Sequence, residues 1–159
     1  MSKPNVLQCI HDLLNQHDVS FHEVQHEPTY TSEDAARARG EELRIGGKAL
    51  LIKAAEVYRL FVLPANRKVD SAAIRKELGL RKLRFASKEE LQELTGLVPG
   101  CVPPFGRPVL PFDLFVDAAI RDNERIAFNA GSLTNSIIMS VDDYLRVAEP
   151  CKVFGFSKC

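Results

Sequence analysis

Tryptophan is absent from this chain, and histidine occurs four times, at positions 11, 17, 22 and 26 and nowhere beyond. Acid–base chemistry driven by histidine therefore has no obvious partner in the remainder of the sequence. Cysteine is as sparse: Cys9, Cys101, Cys151 and Cys159 form no C-x-x-C pair and lie in no His-rich cluster. That pattern argues against a zinc centre or a disulfide framework and for free thiols in a reducing compartment, with no metal and no cofactor. Charge of one sign is missing too: 21 Lys and Arg balance 21 Asp and Glu, which removes the global field expected of a protein that binds nucleic acid by charge alone. No apolar run approaches the ~20 residues of a membrane span. The opening MSKPNVLQCIHDLLNQ interleaves polar residues at helical spacing and so lacks the core of a secretory signal; a soluble, cytoplasmic protein is expected. A nucleophile elbow, a dinucleotide fingerprint, a P-loop and an H-E-x-x-H zinc helix are all absent.

What is present is an ordinary globular composition, 45% hydrophobic and 26% charged over 159 residues, enough for one domain that buries roughly two thirds of its unfolded surface. Residues 1–159 are read as that domain, with 150–159 a tail that docks or frays. Val6, Leu7, Ile10, Leu13 and Leu14 repeat at three and four, giving an amphipathic helix to about Gln16. A short extended piece is expected from Val19 to Gln25. Thr31 or Ser32 caps a second helix that stops at Gly40, and KALLIKAAEVYRLFVLP reads as two strands of a hairpin broken near Ala55 and Glu56. Asp70 or Ser71 caps a helix through Leu78, Leu83 to Ala86 forms a strand, and Ser87 with Glu90 makes a capping box for a helix ending at Gly96. DLFVD, RIAFNA and NSIIM read as strands, and Ser140 with Asp143 opens a last helix. Six to seven strands with interleaved helices but no steady βαβ alternation predict an α+β domain built on a mixed, strongly curved sheet.

Three segments stand out. Five of the nine prolines fall between Pro99 and Pro111, in GCVPPFGRPVLP and the residue before it, and fix a loop in which the N–H groups of Gly100, Cys101 and Val102 remain available. Such a loop is either a locked turn or a preorganised cradle for an oxyanion. Lys48 follows two glycines and begins an apolar strand, so it is either a surface lysine or a cation anchored over a pocket mouth. FNAGSLTNSI clusters Asn129, Ser132, Thr134, Asn135 and Ser136 around Gly131, as a pocket lining or a hydrophilic hairpin would. Between Arg67 and Arg84 seven cations face only Asp70 and Glu77, which suits a solvated face and a phosphate-binding patch equally.

In order and spacing, HEPTYTSEDAA, GGKALLIK, VLPANRKVDSAAIRKELGLRKLRFASKEELQELTGLVPGCVPPFG, LFVDAAI and FNAGSLTNSIIMS resemble the YbaK/EbsC family, free-standing relatives of the editing domain inserted in bacterial prolyl-tRNA synthetases. The resemblance implies an aminoacyl-tRNA deacylase that hydrolyses, in trans, the ester of a small mischarged amino acid at the 3′ end of tRNA. A mischarged tRNA is thus the implied partner, with an aminoacyl-tRNA synthetase as a further one. It also implies a pocket lysine at Lys48 and a catalytic G-x-x-x-P loop at Gly100, Cys101, Val102 and Pro104, in which Cys101 contributes its backbone and not its sulfur. An activated ester needs no strong protein base when N–H donors meet the developing oxyanion. Tyr30, Thr31, Leu50, Phe105, Gly106, Asn129, Gly131, Ser132 and Ser136 are expected to line the size-selective pocket. Proline at both 103 and 104, and a non-acidic AGSLTNSI, leave alanine, serine, threonine and cysteine all open as the edited amino acid. The alternative is a non-catalytic module that holds a tRNA acceptor end or a synthetase.

Overall fold

The computed structural model describes residues 5–159. Most element boundaries follow from capping chemistry. Helix α1 (Val6–Gln16) starts at Asn5, whose side chain accepts the Gln8 N–H, and buries Ile10, Leu13 and Leu14. Strand β1 (His22–Gln25) follows, then α2 (Ser32–Arg39), whose cap Thr31 accepts the Asp34 N–H and whose first turn places Glu33 and Asp34 at the positive dipole end. Strands β2 (Gly47–Ala54) and β3 (Val57–Pro64) form the expected hairpin. Its two turn residues, Ala55 and Glu56, both adopt positive φ, 55° and 66°, the conformation whose twist matches paired strands. The chain continues through β4 (Lys68–Val69), α3 (Ser71–Leu78), β5 (Leu83–Phe85) and α4 (Lys88–Thr95), the last opened by a complete Ser87–Glu90 capping box. After the proline-rich loop come β6 (Asp113–Asp117), β7 (Arg125–Asn129), β8 (Asn135–Ser140), α5 (Val141–Ala148), β9 (Lys152–Phe154) and β10 (Ser157–Lys158).

The α+β class expected from sequence holds. Among the described residues ten strands divide among three sheets: a mixed five-stranded sheet ordered β5-β2-β3-β6-β9, a three-stranded antiparallel sheet β1-β8-β7, and the pair β10-β4. The centre of the five-stranded sheet is buried on both faces. Leu60 and Val62 of β3 join the larger core with α1, α5 and the inner face of the three-stranded sheet, whereas Phe61 and Leu63 join a smaller core with Ile74 of α3, Phe115 and Phe156. This is the period-2 alternation of a strand applied to a sheet with two covered sides.

The two larger sheets meet at an isolated bridge between Gly46 and Ala127. A Cβ on Gly47 would lie 2.5 Å from Ile126 Cδ1, so any side chain there would have to displace Ile126. The notch left beside this junction, at the first residues of β2, is where the candidate site lies.

The segment after α5 docks. Phe156 is fully buried against Phe61 and Phe154, with ring centroids 5.3 and 5.1 Å away. Its N–H donates to Asp117 Oδ1 at 2.7 Å and its carbonyl accepts the Asp70 N–H at 2.7 Å. Asp117, only 1% exposed, also accepts the Ser157 hydroxyl. Replacing Phe156 by alanine is therefore expected to lower the unfolding free energy by about 3–5 kcal/mol. A urea titration checks this, and a loss below about 1 kcal/mol would mean that the segment does not hold the smaller core.

Candidate active site

A cavity of about 220 Å³ opens beside the sheet junction. Thr29 to Ser32, Ala35 and Arg39 form one wall, from the chain leading into α2 and from α2 itself. Gly46 to Leu50 with Ala65 form the second, and Gly100, Val102 and Asn129 close the third. No histidine, cysteine or carboxylate lines it, and among the described residues no group of three or more His, Cys, Asp or Glu could hold a metal ion.

Lys48 is half-buried and donates through Nζ to the Arg67 carbonyl at 2.9 Å. Burial pushes its pKa below the ordinary lysine value, and Glu33 partly offsets that shift. The Arg67 loop is itself tied down: the Arg67 Nε donates to Ser157 Oγ at 2.6 Å, and one of its terminal nitrogens donates to the Ser157 carbonyl at 3.2 Å. The docked segment thus supports the strand turn that fixes the ammonium.

Gly100 has φ +93°, a conformation that suits glycine. Its carbonyl accepts from Asn129 Nδ2 at 2.7 Å. Asn129 Oδ1 accepts from an Arg39 terminal nitrogen at 3.0 Å and from the Ser136 hydroxyl at 3.1 Å, while Arg39 Nε donates to Ser136 Oγ at 2.8 Å. Burial holds the Arg39 guanidinium down to about 10, against the opposing effect of Glu41. Among the described residues the N–H groups of Gly100 and Val102 donate to no protein acceptor. Two uncommitted donors and a fixed cation thus border one cavity.

Of the residues expected in the pocket, Tyr30, Thr31, Lys48, Leu50, Gly100, Val102 and Asn129 line it. Tyr30 stands 77% exposed. The others lie elsewhere, for identifiable reasons. The Cys101 N–H donates to the Val98 carbonyl at 3.1 Å, so it is not available to a ligand. The Cys101 carbonyl accepts the Gly131 N–H, and Gly131 packs against Val6. Phe105 is fully buried, edge-on to Phe128 and Tyr144 at 5.4 Å each, and so belongs to the core. Tyr144 donates to the Pro104 carbonyl at 2.6 Å, which anchors Pro104 rather than presenting it. A Cβ on Gly106 would meet the Phe112 carbonyl at 2.5 Å, so this buried position is packed against the loop and lies outside the cavity lining. Ser132 is occupied within its turn by Thr134 and Asn135. Ser136 is fully buried and acts through Asn129 and Arg39. Sequence reasoning missed Thr29 and Arg39. Arg39 was discoverable: it lies four residues after Ala35, on the small-residue face of α2, a face that can bury a long side chain.

Burial raises the Cys101 thiol above the ordinary cysteine range, so at neutral pH it is protonated and unreactive. Alkylation by iodoacetamide at pH 8, mapped by mass spectrometry, should label exposed Cys151 and Cys159 first and Cys101 only on unfolding. Labelling of Cys101 as fast as Cys151 would contradict this. The network makes a second demand: Asn129→Ala strands the Gly100 carbonyl and one Arg39 donor, and should cost about 2–3 kcal/mol of stability in denaturant unfolding.

The comparisons with known proteins agree with this architecture. Residues 26–147 match the model of the aminoacyl-tRNA editing domain family. The chain is 36% identical over 144 residues to the multifunctional Ser/Thr-tRNA deacylase ProXp-y of Escherichia coli strain K12, covering 87% of this chain and 85% of that protein. It is also 36% identical over 100 residues to the proline–tRNA ligase of Shouchella clausii, 63% of this chain but 17% of the ligase. The crystal structure of a candidate trans-editing enzyme for prolyl tRNA synthetase superposes with a TM-score of 0.82 at 22% identity, over 99% of this chain and all of that one. The chain belongs to the aminoacyl-tRNA editing domain family.

Proposed function

We propose that this member of the aminoacyl-tRNA editing domain family is a deacylase that hydrolyses the ester between a small, wrongly attached amino acid and the 3′ ribose of tRNA. The observation that carries the reading is the cavity that Lys48 borders together with Gly100 and Val102, whose N–H groups are uncommitted, with no histidine, cysteine or carboxylate in its lining. An ester needs little more. Water attacks the carbonyl carbon, its π electrons move onto oxygen, and the resulting oxyanion is held by the two backbone donors, each worth ~3 kcal/mol of transition-state stabilisation. Collapse expels the ribose oxygen, which takes up a proton. No protein base lines the cavity, so the neighbouring ribose hydroxyl of the substrate relays that proton. Lys48 holds the negatively charged terminal nucleotide, its remaining N–H bonds free for a phosphate or ribose oxygen.

Selection follows from polarity. The cavity of about 220 Å³ is bordered by Thr29, Thr31, Ser32 and Asn129, so a hydroxyl-bearing side chain there finds hydrogen-bond partners. The named activity of the Escherichia coli relative makes serine and threonine the first substrates to try, ahead of alanine and cysteine. A charged-tRNA substrate supports a cytoplasmic location. The likeness to a segment of a proline–tRNA ligase supports action alongside a synthetase.

Incubation with tRNAs mischarged with serine, threonine, alanine or cysteine tests the reading. Release faster than buffer for at least one is expected, and none would overturn it. Lys48→Ala should lower kcat/KM about 100-fold while leaving thermal unfolding unchanged. Cys101→Ser should retain activity, because its thiol lies outside the cavity.

A further inference from the structure

A second cavity, of about 160 Å³, adjoins the first. Ala49, Leu50, Gly100 and Val102 line both, so one thin wall of β2 and the proline-rich loop separates them. Its far side is built by Phe85, Ala86, Ser87 and Lys88, where the edge strand β5 turns into α4. No acidic residue lines it. Phe85 is 51% exposed although it is a large aromatic, and its flanks are cationic: the side chains of Arg81, Lys82 and Lys88 have no ionic partner among the described residues. Arg84 and Tyr58, in contrast, are both taken up by Glu90. An exposed aromatic between unpaired cations is the chemistry that binds single-stranded nucleic acid, with a base stacked on the ring and its phosphate met by an ammonium.

Resting on the deacylase reading, we infer that this second cavity is the subsite for the penultimate unpaired nucleotide of the tRNA acceptor strand, its base stacked on Phe85 and its phosphate paired with Lys88. The terminal nucleotide carries the ester and occupies the first cavity. The strand that leads into it crosses the shared wall at Gly100 and Val102 and meets Phe85 on the other side. The contact is independent of the amino acid. It recognises that the substrate is a polynucleotide, whereas the first cavity recognises what the polynucleotide carries.

The probe is a fluorescent stem–loop RNA with an unpaired 3′ end that carries serine through a non-hydrolysable amide, compared with the same RNA made abasic at the penultimate position. Binding to the full chain is followed by anisotropy. Phe85→Ala should weaken binding of the intact RNA about tenfold and that of the abasic RNA less than twofold, since there the stacking partner is already missing. Phe85→Tyr should restore the affinity, and Lys88→Gln should weaken binding and reduce its salt dependence. Equal losses on both RNAs, no loss on either, or no affinity of the native protein for the amide RNA would overturn the assignment. The equilibrium measurement separates the two readings. A native protein that binds with this base dependence but releases none of serine, threonine, alanine or cysteine from the ester RNAs refutes the deacylase and leaves the subsite standing. Turnover without base dependence refutes only the subsite.

Discussion

The site depends on one side-chain amide. Asn129 ends β7 with its Oδ1 between two donors, Arg39 and Ser136, which leaves its Nδ2 facing two acceptors, the Gly100 carbonyl and Thr29 Oγ1. The orientation of the amide is thereby fixed, since a flip would set donor against donor and acceptor against acceptor. Helix α2, the three-stranded sheet and the proline-rich loop are different parts of the chain, and this group joins them at hydrogen-bond distance. The network is complete: among the described residues no buried side-chain nitrogen or oxygen lacks a partner. In a low-dielectric setting a satisfied network is rigid, and a partly satisfied one is costly. Gly100 therefore keeps its left-handed backbone because its carbonyl is held from outside the loop.

The proline-rich loop divides its residues between two tasks. Phe105 enters the core against Phe128 and Tyr144, and the Tyr144 hydroxyl binds the Pro104 carbonyl. Burial raises the Tyr144 pKa, so the hydroxyl stays a donor across the working pH range. Gly100 and Val102, a few residues upstream, face the cavity instead. The prolines stiffen the span between an anchored half and a presented half, so the backbone donors are positioned without a side chain of their own in the site.

Local chemistry was legible in the sequence. Helix starts at Thr31, Asp70, Ser87 and Ser140 are settled by a side-chain oxygen within three residues of the N–H it accepts, and the hairpin by two apolar runs on either side of a short polar break. Long-range choices were not. Nothing near Phe156 announces that it fills a core made by Phe61, Ile74 and Phe115, or that β4 and β10, two residues each, will pair. The same gap explains the site. Phe105 and Ser136 have suitable chemistry and the right neighbourhood, but which face of the loop or strand a residue presents is decided by partners more than twenty residues away. The Cys101 N–H was misjudged for a local reason: proline spacing tells which N–H groups exist, not which are already bound in a turn.

Lys48 shows why an isolated lysine in a glycine-rich strand entry is more than a surface charge. Its ammonium is partly desolvated, which costs free energy, yet one N–H bond is committed to the Arg67 carbonyl, and Arg67 is held by Ser157, which in turn binds the buried Asp117. Three residues spread from position 67 to position 157 therefore fix one cation, and the remaining two N–H bonds of the ammonium are left for a ligand. A flexible surface lysine would lose side-chain entropy each time it met a phosphate; here that ordering is complete before the substrate arrives. Burial that depresses the pKa and a carbonyl that holds the charge in place are two sides of one arrangement, in which folding energy maintains a cation ready for negative charge.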